Sequence, residues 1–160
     1  MTALMKAVKD NDIALVSELI KQGVDVNELD ANQDAPLIIA AYKGYTEIVK
    51  LLLEAGADVS VVDPGMKATA LHAAAYAGNA EAAKLLIEYK IDMDKQGPYN
   101  GYTALHDAVW QNNIETVKVL IEPGANLNIK SNTGKTPLEF AKSRNHREIV
   151  ALIEQKIATA

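Results

Sequence analysis

Gly101-Tyr102-Thr103-Ala104-Leu105-His106-Asp107-Ala108-Val109-Trp110-Gln111-Asn112 decides how this chain folds, because the same pattern returns four more times. Thr69-Ala70-Leu71-His72-Ala73-Ala74-Ala75 stands 34 positions upstream, and Thr136-Pro137-Leu138-Glu139-Phe140-Ala141 stands 33 positions downstream. Ala35-Pro36-Leu37-Ile38-Ile39-Ala40-Ala41 and Thr2-Ala3-Leu4-Met5-Lys6-Ala7-Val8 complete the set at further steps of 34 and 33. A fixed period in this range belongs to stacked supersecondary units, each too small to bury its own apolar face.

Inside each unit the residues spell two short helices and a loop. The signature Thr (Thr2, Thr69, Thr103, Thr136) opens the first helix, where its hydroxyl can accept from free backbone N–H groups. Ala35 breaks that rule, at a cost of about 1 kcal/mol unless Asp34 substitutes. Pro36 and Pro137 follow at the first helical position, where a missing N–H is harmless. Nine residues after the signature come Asn11, Gly44, Gly78, Asn112 and Asn145, types that tolerate the left-handed backbone of a reversing turn. The second helix carries an apolar face at helical spacing: Leu15/Val16/Leu19/Ile20, Ile48/Val49/Leu52/Leu53, Ala82/Ala83/Leu86/Ile87, Val117/Leu120/Ile121 and Ile149/Val150/Leu152/Ile153. Gly23, Gly56 and Gly124 stop it, and Lys90 takes that place in the third unit. The two 34-residue spacings put one extra residue into each loop flanking the third unit.

These residues carry a resemblance. Gly101-Tyr102-Thr103-Ala104-Leu105-His106 with Asn112, together with Gly23-Val24-Asp25-Val26-Asn27, Gly56-Ala57-Asp58-Val59 and Gly124-Ala125-Asn126-Leu127-Asn128, resembles the ankyrin repeat. The resemblance implies an all-α solenoid of five helix-turn-helix units, at about 1–30, 31–63, 64–97, 98–130 and 131–160. First helices and hairpin-like finger loops would lie on the concave side, with second helices on the convex side. The outer units would act as caps with a polar outer face, a role that suits Lys6, Lys9 and Asp10 at one end and Arg147, Glu148, Glu154, Gln155 and Lys156 at the other.

Composition narrows the function. No run of apolar residues is long enough to cross a membrane as a helix. A net charge of −5 opposes general nucleic-acid binding, which needs clustered Lys and Arg to displace counterions. The absence of Cys excludes disulfides and thiol chemistry. The first repeat begins at Thr2 with no basic, apolar leader before it, so a cytoplasmic chain is expected, with export as the alternative if a leader has been removed.

No catalytic residue, cofactor or metal is expected. His72 and His106 hold equivalent places on neighbouring units, roughly 8–10 Å apart as stacked helices are, whereas zinc needs its nitrogens near ~2 Å. The resemblance instead implies that they tie one loop to the next, and that His146 is structural. Asp107 follows His106, but adjacent helical residues point apart, and no Ser or Cys nucleophile recurs with them.

The few aromatics stand out. Seven residues after the signature come Lys9, Tyr42, Tyr76, Trp110 and Ser143. The resemblance implies that this position and the next face the concave surface, as do the finger tips. Tyr42, Tyr76 and Trp110 would then form a ladder, with Tyr99 and Tyr102 on the loop above and Met66 and Gln111 beside it. Asn32, Asp34, Asn100, Asn132 and Lys135 would surround them. Large rigid rings dominate interface energetics. The expected function is non-enzymatic binding of a protein or peptide partner, neutral or basic at the contact, by a monomer. A small-molecule or enzymatic groove and self-association are the alternatives.

Overall fold

A computed structural model describes residues 1–160 as ten helices. They are α1 (Ala3–Lys9), α2 (Ile13–Lys21), α3 (Pro36–Lys43), α4 (Thr46–Glu54), α5 (Ala70–Ala77), α6 (Ala80–Glu88), α7 (Ala104–Trp110), α8 (Ile114–Ile121), α9 (Pro137–Ser143) and α10 (Arg147–Thr159). Each odd-numbered helix packs on the even-numbered helix that follows it. Odd helices also stack on odd, and even on even, so the chain is two parallel rows of helices. There is no strand, only one isolated antiparallel bridge between Val62 and Thr69.

The helix starts obey the reading of the signature. Thr2, Thr69, Thr103 and Thr136 each accept from the backbone N–H three residues on, those of Met5, His72, His106 and Glu139. Ala35 caps nothing, and Asp34 does not replace it. The Asp34 backbone N–H donates within its own finger, to Asp30 Oδ1 at 3.0 Å. All five turn residues have positive φ, from 54° at Asn11 to 79° at Gly78. Lys90 also takes a left-handed φ of 66° where the first, second and fourth units have Gly.

The four finger loops are each closed by one backbone bond. Asp30 N–H donates to Asp34 O, Asp63 to Ala68, Gly97 to Tyr102 and Ser131 to Lys135, at 2.8–3.1 Å. The middle two span one residue more, as the 34-residue spacings require. Every finger ends on a left-handed residue two places before the next helix cap: Gln33, Lys67, Gly101 and Gly134. Only Gly fits at 101, because a Cβ there would run into the Asn132 side chain and lie 2.8 Å from its backbone N.

Leu37, Ile48, Leu52, Leu71, Leu86, Leu105, Leu120, Ile149 and Ile153 are almost fully enclosed along the stack. The first unit departs from the expected face. Within α2 only Val16 is buried, and Leu15, counted with the core from its spacing, is 43% exposed beside Ile13. The outer face there is therefore mixed, and not the uniformly polar cap expected. A polar residue also intrudes where none was expected. Thr116 lies buried in α8, in the row of Ile48 and Ala82, and its hydroxyl has no partner.

Candidate binding groove

Both signature histidines are fully employed in holding the stack. His72 Nδ1 accepts from the Thr69 backbone N–H at 3.3 Å and faces Thr69 Oγ1 at 2.9 Å. Its Nε2 lies 3.0 Å from the Tyr102 carbonyl in the next finger. A carbonyl can only accept, so Nε2 carries the proton and the ring is neutral. His106 repeats the arrangement one unit on, from Thr103 to the Lys135 carbonyl at 3.0 Å. Burial pushes both imidazoles below their ordinary pKa. With both nitrogens bonded, His106 has none left for acid–base work with Asp107.

Between the odd helices and the fingers lies a cavity of about 630 Å³. α3 contributes Ile38, Ile39 and Tyr42, α5 contributes His72, Ala73 and Tyr76, and α7 contributes Asp107 and Trp110. Met66, Asn100 and Tyr102 close it from the finger side. Of the seven residues singled out from the sequence, five line this one cavity: Tyr42, Met66, Tyr76, Tyr102 and Trp110. Tyr42, Tyr76 and Trp110 are 50%, 47% and 39% exposed, so none is tucked into the inter-helix core.

The other two stand apart, and Tyr102 is a partial correction. Tyr99 is 61% exposed at the finger tip, and Gln111 is exposed at the end of α7; neither lines the cavity. Tyr102 is half-buried and not an exposed tip residue. Its ring stacks on His106 at 5.4 Å and meets Phe140 at 5.4 Å and Trp110 at 6.4 Å. Phe140, whose place in the repeat sets it apart from the exposed aromatics, stacks on Trp110 at 5.6 Å, and the Arg144 guanidinium sits 4.0 Å from the Trp110 ring centre. Trp110 is therefore propped from the last unit, whereas Tyr42 and Tyr76 make no ring–ring contact of this kind.

The groove is also braced from behind. Asn79 Nδ2 donates to the carbonyls of Ala41 and Tyr42, and Asn113 Nδ2 to those of Ala75 and Tyr76. These carbonyls lie at helix C-termini, where intrahelical partners run out; those of Ala41 and Ala75 also accept from the cap N–H groups of Gly44 and Gly78. On the finger side, Asp63 accepts from the N–H groups of Gly65, Met66 and Ala68 at 2.7–2.9 Å, fixing the tip that carries Met66. No three of the His, Asp and Glu side chains converge as metal ligands would.

A model of ankyrin repeats (three copies) matches residues 1–63 and 58–131. The chain belongs to the ankyrin repeat family. The ankyrin repeat protein FPV031 of fowlpox virus is 35% identical over 156 residues, covering 94% of this chain and 46% of the viral one. Another ankyrin repeat protein of that virus, FPV244, is 34% identical over 62 residues, covering 39% of this chain and 9% of its own. The palmitoyltransferase AKR1 of Candida albicans is 41% identical over 58 residues, covering 36% of this chain and 7% of the enzyme. The chain thus spans under half the length of each of these relatives.

Ankyrin repeats are in general non-enzymatic protein–protein interaction modules. The stretch shared with the palmitoyltransferase is a small ankyrin segment and does not cover its catalytic domain. In ankyrin terms, the His72 and His106 bonds are the ties between successive fingers. No helix is long and apolar enough to cross a membrane.

Proposed function

We propose that this ankyrin chain is a non-enzymatic binding module that engages a protein or peptide partner through the groove between its odd-numbered helices and its fingers. One observation carries the reading: three consecutive units each expose an aromatic ring at the same position, and all three rings line one cavity. A row of exposed apolar surface of this kind marks an interaction site, and stacked repeats offer it as one extended surface. The net charge of −5 favours partners that are neutral or basic where they touch.

The test uses Tyr42→Ala and Tyr76→Ala, because those two rings do not brace other aromatics as Trp110 does. Both variants should keep wild-type helical circular dichroism and lose the bound partner in pull-down. Undiminished recovery by the double variant moves the docking face elsewhere. A second reading rests on the cavity itself, whose volume falls within the range of small-molecule pockets, about 300–1,000 Å³. A reproducible rise in melting temperature with a metabolite would favour it, since a ligand stabilises the folded state by mass action.

A further inference from the structure

The residue four places after the signature position lines the groove in three consecutive units, and there it reads Ile39, Ala73, Asp107. Asp107 is the one charged residue that the helices contribute to the cavity. Its carboxylate lies outside all four ion pairs of the chain, and no side-chain or backbone donor holds it. Burial alone, with no compensating donor, raises its pKa to about 7. An alanine there, as in the preceding unit, would avoid the cost of half-burying an unpaired carboxylate. Around it the apolar walls are Tyr76, Trp110 and Tyr102, and Ala73 leaves the space between them open.

Building on the docking-face reading above, we propose that this pocket takes a lysine or arginine side chain of the partner. Its stem lies against Tyr76 and Trp110, and its cation meets the Asp107 carboxylate. Charge complementarity selects this occupant, because the cavity lining contains Asp34, Asp63 and Asp107 and no Lys or Arg. Aromatic faces attract the same cation, and the Arg144 guanidinium already held against Trp110 shows that this indole accepts one. The other charged or titratable groups that share the pocket with Asp107 are Asp63, Tyr76, Tyr102 and the neutral His72, with Asp34 at the far end; Lys95 lies beside His72, and Arg144 beside Tyr102. Of these Arg144 makes no ion pair with it. A bound cation requires the ionised carboxylate, so binding releases a proton and tightens as pH rises through about 7.

The experiment selects twelve-residue peptides from a displayed library on the full chain at pH 8. In each selected peptide every Lys and Arg is then replaced in turn by norleucine. One basic position should lose about tenfold or more in affinity for the wild type, the scale of a charged hydrogen bond, and stay within about twofold for Asp107→Asn. Wild-type affinity for the parent peptide should fall from pH 8 to pH 6, and that of Asp107→Asn should stay flat. Asp107→Asn keeps the side-chain shape and removes a half-buried charge, and its unfolding midpoint at pH 8 verifies folding. If no basic position couples to Asp107 while Tyr42→Ala and Tyr76→Ala abolish binding, the cation pocket falls and the docking face stands. Peptides that bind the tyrosine variants undiminished, or a selection that yields none, overturn both.

Discussion

Asn79 holds the backbone of Tyr42 from the following unit: its Nδ2 donates to the Tyr42 carbonyl at 2.8 Å and to that of Ala41 at 2.9 Å. Asn113 does the same for Tyr76 and Ala75. Each ladder tyrosine is therefore positioned by the unit after its own. Asn79→Ala or Asn113→Ala should cost about 0.5–1.5 kcal/mol, the net worth of an intramolecular hydrogen bond, because Gly44 and Gly78 still donate to Ala41 and Ala75. Urea denaturation of both variants checks this, and a loss under ~0.3 kcal/mol would show the bonds to be idle.

Thr116 provides a change in the opposite direction. Its hydroxyl is buried without a partner, in a row otherwise filled by apolar residues such as Ile48 and Ala82. Thr116→Val keeps the shape and removes the unpaired group, so it should stabilise the chain by about 1 kcal/mol. A raised denaturation midpoint at unchanged slope is the expected result.

Lys90 sits at φ 66°, where an L side chain is strained by roughly 1–2 kcal/mol. Glycine removes that strain and adds about 0.5–1 kcal/mol of unfolded-chain entropy. Lys90→Gly should therefore stabilise by a net ~0.5 kcal/mol or slightly more, measured by the same denaturation. Destabilisation would mean that the lysine stem contributes packing that outweighs its backbone.

Two kinds of titration act on stability in opposite senses. His72 and His106 are held neutral, with pKa values below the ordinary 6.5. Below pH 6.5 the unfolded chain takes up protons that the folded chain refuses. Their contribution is thus full above about pH 6.5 and is lost as pH falls toward the lowered folded values. Asp107, raised to about 7, does the reverse: the folded chain keeps a proton that the unfolded chain has released by pH 4–5. Its destabilising effect grows as pH climbs from about 4 and is complete above about 7. Asp107→Asn should therefore be more stable than wild type at pH 8 and nearly equal to it at pH 4, leaving the histidine-driven loss in acid exposed. Thermal midpoints across that range decide the matter.

Much of this architecture could be read from spacing. The distance between Thr69 and Thr103 fixes the repeat, and the cap at Thr and the turn at Asn or Gly follow from local chemistry one residue type deep, whereas the tie at His came with the resemblance to ankyrin repeats. The row of Tyr42, Tyr76 and Trp110 followed from the same period. What escaped the sequence was contact between units. Phe140 reaches back to Trp110 and Arg144 lies over the indole, neither of which a single repeat encodes. Gln33 and Lys67 escaped for a different reason: neither residue type advertises a left-handed backbone, though Gly101 and Gly134 at the same place do. Asp107 was visible only as the neighbour of His106, and its place in the groove emerges once the fingers close over α7.

Trp110 is the sole indole of the chain and forms one wall of the cavity while leaning on Phe140 and Arg144 of the last unit. The molecule thus carries a built-in optical reporter with two sensitivities. Its ultraviolet emission should respond when the groove fills, and respond differently when the C-terminal pair of helices frays away from the stack. Docking and end-unit melting can accordingly be followed on the unlabelled protein, from a single chromophore already in place.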